Sequence, residues 1–119
     1  MKVYLDTIGC RLNQSEIETM ARQFRAAGHD IIASAEGADL AVVNTCAVTA
    51  DAAADSRQMI RHIARAGVLQ IVPTGCWTTL QPKEAASLPN VLKVVDNSEK
   101  ENLVAQFNSE FRIQNSEFD

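Results

Sequence analysis

The stretch "ADLAVVNTCAVTADAAADSRQMIRHIAR", Ala38 to Arg65, carries the strongest structural signal in the chain. Leu40 to Val43 is apolar without alternation, the pattern of a strand covered on both faces. Asn44, Thr45 and Cys46 follow where such a strand ends. Thr49 then stands as the N-cap of a helix reaching Arg65, with Gly67 as its stop. A doubly covered strand that feeds a helix is part of a βαβ unit, so the flanking sequence should repeat the alternation.

On both sides it does. Val3-Tyr4-Leu5 opens a first strand that ends near Thr7. Asn13 reads as a helix N-cap with Glu16 three residues on, and Ile17, Met20, Ala21, Phe24 and Ala27 follow at helical spacing until Gly28. Ile31-Ile32 is a short second strand, Val68 to Val72 a fourth and Val91 to Val95 a fifth. Pro82 suits the first turn of a short helix from about Gln81 to Ser87. Ser98 with Glu101 offers a capping box for a last helix, Glu99 to about Phe107. The expected fold is α/β and three-layered, a mainly parallel sheet of four to five strands in flavodoxin-like order with helices on both faces. Pro73 has no N–H to give, so the fourth strand is expected to finish by Val72 if it is central. The domain is expected to span 1–107. The repeat-bearing "NSEFRIQNSEFD" over 108–119 reads as a disordered or non-native tail.

The chain has 119 residues, 46% hydrophobic and 22% charged, with a formal net charge of −4. That is the composition of one globular domain, and it does not favour a free-standing nucleic-acid binder, which is usually basic. No apolar stretch approaches the roughly 20 residues that span a bilayer. Met1-Lys2 runs straight into a strand pattern without a signal-peptide core, so a cytoplasmic location and no membrane partner are expected.

Each of the three cysteines closely follows a strand: Cys10 the first, Cys46 the third, Cys76 the fourth. Open parallel sheets bind ligands beyond the carboxyl ends of their strands. The order 2-1-3-4-5 sets strands one, three and four side by side at about 4.8 Å spacing, so the thiols can converge at one rim. An odd number of cysteines without close pairs argues against a disulfide framework and against a thiol redox enzyme. Three thiolates match a zinc site lacking a ligand, or an iron–sulfur cluster with one iron left open. His29, at a helix end, and His62, in mid-helix, are unpromising as a fourth ligand. The competing explanation is that all three are inert buried thiols.

The motifs "TIGCRLNQSEIETM", "NTCAVT" and "VPTGCW" resemble, in order and separation, the N-terminal domain of the radical-SAM methylthiotransferases. Among these, the branch acting on N6-threonylcarbamoyladenosine at position 37 of tRNA is the most similar. The resemblance implies that Cys10, Cys46 and Cys76 hold an auxiliary [4Fe-4S] cluster. It implies partners as well: a radical-SAM domain carrying S-adenosylmethionine and a second [4Fe-4S] cluster, and a tRNA-binding domain through which tRNA is met indirectly. The C-x-x-x-C-x-x-C motif of the radical-SAM domain does not occur in this chain, which is expected to be inactive alone. Pro73 and Asp96 depart from the family pattern. The alternative function is a non-enzymatic flavodoxin-like module binding a small ligand or protein.

Asn13 and Asn44 flank the cysteines and are candidates to cap helices or to donate hydrogen bonds to cluster sulfur. Thr7, Thr45 and Thr74 are expected to satisfy loop backbone groups. Trp77 has core packing as its commoner role, with cluster shielding or base stacking as the other. Arg57, Arg61 and Arg65 form one helical stripe, a solvated face or a contact for RNA phosphates or a neighbouring domain.

Overall fold

The computed structural model describes residues 2–8, 11–46, 50–96, 98–99 and 102–104. The apolar run of the sequence is β3, Leu40–Thr45, buried at all six positions. Complete burial of a strand requires neighbours on both edges and cover on both faces, and the fold supplies each. β1 (Lys2–Thr7) and β4 (Ile71–Gly75) flank it, and β2 (Asp30–Ile32) pairs with the outer edge of β1. The order is β2-β1-β3-β4 and every pairing is parallel.

Side chains alternate across a strand, so the two faces bury different sets. Val3, Leu40, Val42 and Val72 pack on one side against Met20 and Phe24 of α1 (Arg11–Ala26), with Leu103 and Val104. Ala41, Val43 and Ile71 pack on the other against Ile60 and Ile63 of α2 (Ala50–Arg65), with Trp77, Ala85 and Leu88. Trp77 lies in α3 (Cys76–Leu80) and Ala85 in α4 (Pro82–Ala86), whose first turn holds Pro82 as expected. The sheet is thus sandwiched in three layers. Among the described residues no helix is long and apolar enough to cross a membrane.

Several boundaries differ from the sequence expectation. α1 starts at Arg11, so Asn13 lies within its first turn and does not cap it. Ile8 N still donates to Asn44 O at 3.0 Å, which holds the chain in the sheet until just before the helix begins. β4 runs through Pro73 to Gly75, past the end expected for a central strand, because it is the last strand of the described sheet and has β3 on one side only. The missing donor falls on the side away from β3. Ile71 exchanges bonds with the 91–95 segment, through Asn90 O at 3.0 Å and Leu92 N at 2.8 Å. Pro73, two residues on, faces the same way, so its pairing with β3 needs nothing from its nitrogen. The expected fifth strand bears the consequence. It keeps one parallel bridge, Ile71 to Val91, and Val95 rather than Val94 reaches Pro73 O, at 3.1 Å.

Near the C-terminus, Asp96 rather than Ser98 accepts the turn's amide, from Glu99 N at 3.1 Å, while the Ser98 hydroxyl donates to Asp96 at 2.6 Å. Ser98 therefore braces a cap that Asp96 supplies, and these bonds hold the Asp96 carboxyl below its usual range. The cap at Thr49, Glu101 of the expected capping box, the helix end near Phe107 and the tail 108–119 lie outside the described residues.

Candidate metal centre at the carboxyl rim of the sheet

β1, β3 and β4 end within one row of one another. Thr7 pairs with Asn44 and Asn44 with Thr74, and Thr45 then pairs with Gly75. Cys46 and Cys76 are the next residues of their strands, one step beyond a hydrogen-bonded row and on neighbours about 4.8 Å apart. Cys46 is buried, 5% exposed, and Cys76 is half-buried; neither is in a disulfide. Cys10 lies outside the described residues, and the other two expected ligands each follow directly on the paired ends of β3 and β4. Among the described residues no group of three or more His, Cys, Asp or Glu forms a metal site.

Local chemistry explains how the ends of β3 and β4 are brought so close. β4 passes into α3 with no loop, and the turn is made at Gly75, φ 97°. A Cβ at Gly75 would meet Asn44 Oδ1 and Thr45 N at 2.7 Å, with Thr45 O closer still. Only glycine lets the backbone of β4 approach β3 in this way. Beneath, the Thr45 hydroxyl donates to Thr74 O at 2.5 Å and accepts from Thr78 N at 3.2 Å. Thr78 Oγ1 lies 3.0 Å from Thr45 Oγ1 and 3.2 Å from Thr74 O. Ser56 of α2, fully buried, holds the backbone of Cys46 from the other side, its hydroxyl 3.4 Å from both Cys46 N and Cys46 O.

Other expected residues divide. Asn44 is fully buried at the rim, in the row with Thr7 and Thr74. Thr7 and Thr45 serve backbone oxygens as anticipated, but Thr74 Oγ1 is buried with no hydrogen-bond partner among the described residues. Trp77, 2% exposed, is core. His29 packs against Phe24 with ring centroids 5.7 Å apart, and His62 is exposed on α2. Of the arginine stripe, Arg57 pairs with Glu84 at 3.3 Å while Arg61 and Arg65 are exposed. The last two border a cleft of about 610 Å³ with Tyr4, Asp6 and Met59. Sequence reasoning did not single out Ser56 or Thr78. Each acts on a residue distant in the chain, and nothing in its own neighbourhood marks it.

A family model described as "Uncharacterized protein family UPF0004" matches residues 2–96. The chain belongs to this family. The UPF0004 match takes in all four strands and the rim. Two threonylcarbamoyladenosine tRNA methylthiotransferases named MtaB are similar to this chain. That of Aquifex aeolicus is 37% identical over 105 residues, covering 87% of this chain and 26% of the relative. That of Thermotoga maritima is 37% identical over 108 residues, 90% of this chain and 24% of the relative. The ribosomal protein uS12 methylthiotransferase RimO of Roseiflexus castenholzii is 34% identical over 93 residues, 76% of this chain and 19% of the relative. The chain spans about a quarter or less of the length of these relatives. The methylthiotransferase resemblance drawn from the three cysteine motifs is therefore borne out across the UPF0004 domain.

Proposed function

We propose that this UPF0004 domain is the auxiliary [4Fe-4S] domain of a radical-SAM methylthiotransferase that modifies N6-threonylcarbamoyladenosine in tRNA. In this reading Cys10, Cys46 and Cys76 are the ligands, the domain spans 1–107, and 108–119 is no part of it. The observation that supports it most is that β1, β3 and β4 end within one row of one another, with Cys46 and Cys76 directly after the paired ends of β3 and β4. The tRNA branch is favoured because those matches run over 105 and 108 residues, against 93 for the ribosomal-protein enzyme.

The residues present suit the group. Two thiols stand at neighbouring strand ends, one half-open, above a buried hydroxyl of Thr74 with no partner among the described residues. Three thiolates on a four-iron cluster leave one iron with an open position at which sulfur can be held for transfer. Around it the chain's own residues do the positioning. Gly75 sets the closeness of the two strands and Ser56 steadies Cys46; in this reading Asn44 and Asn13 are the residues assigned to tune the cluster by hydrogen bonding. Activation of S-adenosylmethionine belongs to a neighbouring radical-SAM domain, and tRNA binding to a further one. The protein is cytoplasmic, where free thiols persist.

Anaerobic reconstitution with iron and sulfide is expected to give about four irons per chain and broad visible absorption. Cys46→Ala and Cys76→Ala should each abolish both. A folded wild-type chain that stays colourless would overturn the reading and leave an α/β binding module with inert thiols.

A further inference from the structure

We propose that Thr45 is a positioning residue for Cys76: its hydroxyl, reaching across from β3, is the cap of α3, and one residue thereby fixes both cysteines. The inference rests on the reading of Cys46 and Cys76 as ligands. The argument begins with an accounting of amides. The first turn of a helix carries N–H groups with no partner inside the helix, and a polar side chain at the N-cap normally accepts one of them. In α3 the N-cap is Gly75, which has no side chain to offer. Water cannot substitute, because Thr74 and Thr78 are fully buried and Trp77 is 2% exposed. The Thr78 amide, at the third position of the helix, is met instead by Thr45 Oγ1 at 3.2 Å.

This cap comes from the neighbouring strand, and that has a geometric effect a local cap lacks. Thr45 immediately precedes Cys46, and the helix it caps begins with Cys76. The hydroxyl also donates to Thr74 O at 2.5 Å, so it grips the chain on both sides of Gly75, at Thr74 of β4 and Thr78 of α3. Moving α3 relative to β3 would strand a buried amide and break that bond together. Gly75 lets the backbones approach, and Thr45 keeps them there. A β-branched residue with a hydroxyl meets both needs of the position, since its methyl group fills buried space and its oxygen bonds.

The test compares Thr45→Val, which keeps the shape and removes the hydroxyl, with Thr45→Ser, which keeps the hydroxyl, both in the 119-residue chain. Hydrogen exchange on the metal-free protein is expected to show Thr78 and its α3 neighbours exchanging about tenfold faster in Thr45→Val, with α1 unchanged and Thr45→Ser near wild type. Iron bound after anaerobic reconstitution is expected to fall to less than about half in Thr45→Val and to recover in Thr45→Ser, as loss of outer hydrogen bonds commonly weakens metal retention. Unchanged α3 exchange in Thr45→Val overturns the cap. Faster exchange with undiminished iron overturns the positioning role. A folded wild-type chain that binds no iron refutes the cluster, and with it the role toward ligands, whereas a wild type that loads beside an equally loaded Thr45→Val refutes this inference alone. Should Thr45→Val fail to fold, Thr45→Ala takes its place and is read in the same way.

Discussion

At the scale of single residues, Gly75 and Tyr4 make separable predictions. Gly75 and Gly37 both have positive φ, 97° and 84°, but a Cβ at Gly37 meets nothing within 4 Å while one at Gly75 strikes β3. Gly37→Ala should therefore cost only the backbone term, about 1–2 kcal/mol. Gly75→Ala adds overpacking of about 1–3 kcal/mol, and urea unfolding of the two variants should show that difference. Tyr4, the one tyrosine of the chain, is pushed up to about 12 by burial first and then by Asp6, to whose carboxylate its hydroxyl donates at 2.6 Å. Its neutral form is favoured in the folded state, so this stabilisation is present in full below about pH 10. It is lost as pH rises toward 12. Titration of tyrosinate absorbance should show a midpoint that falls in Asp6→Asn yet stays above the usual value, because burial remains.

At the scale of elements, Pro73 shows why strand boundaries are hard to read from sequence. The sequence rule says that proline ends a central strand, but β4 is the last strand of the described sheet and continues to Gly75. The rule holds for only one edge, and which edge faces a regular neighbour is settled by topology. Pro73→Val is expected to restore a donor toward the 91–95 segment, with a slowly exchanging amide at 73 and slower exchange at Val94 and Val95. The global effect should stay within about 1 kcal/mol, since valine also returns entropy to the unfolded chain. α1, α2 and the alternation of strands and helices were legible because each carries a long periodic or apolar signal. α3 was not, because its five residues have no side-chain cap of their own and depend on Thr45. The end signals misled by short distances, at Asn13 within α1 and at Ser98 beside Asp96.

At the scale of the molecule, the core on the α1 side is closed by residues near the C-terminus. Leu103 and Val104 are 1% and 3% exposed and pack with Phe24, Val42 and Val72. A chain ending at Lys100 loses both, and each is worth about 1.5–3 kcal/mol of burial. A chain ending at Phe107 is expected to unfold like the full one, and thermal melts of the two truncations check this. The candidate site was legible as motifs: Cys46 and Cys76 were named from their places after strands, and the strand order makes the ends they follow neighbours. The sequence by itself determined the class of fold, the buried third strand and the candidate thiols, because hydrophobic period and strand-end position are properties of neighbours along the chain. Only the tertiary structure decided which polar groups serve the site, the Thr45 hydroxyl on Thr78, Ser56 on Cys46 and the bare Cα of Gly75 against β3. These are contacts between segments remote in sequence, fixed when the strands come into register, and no local pattern encodes them.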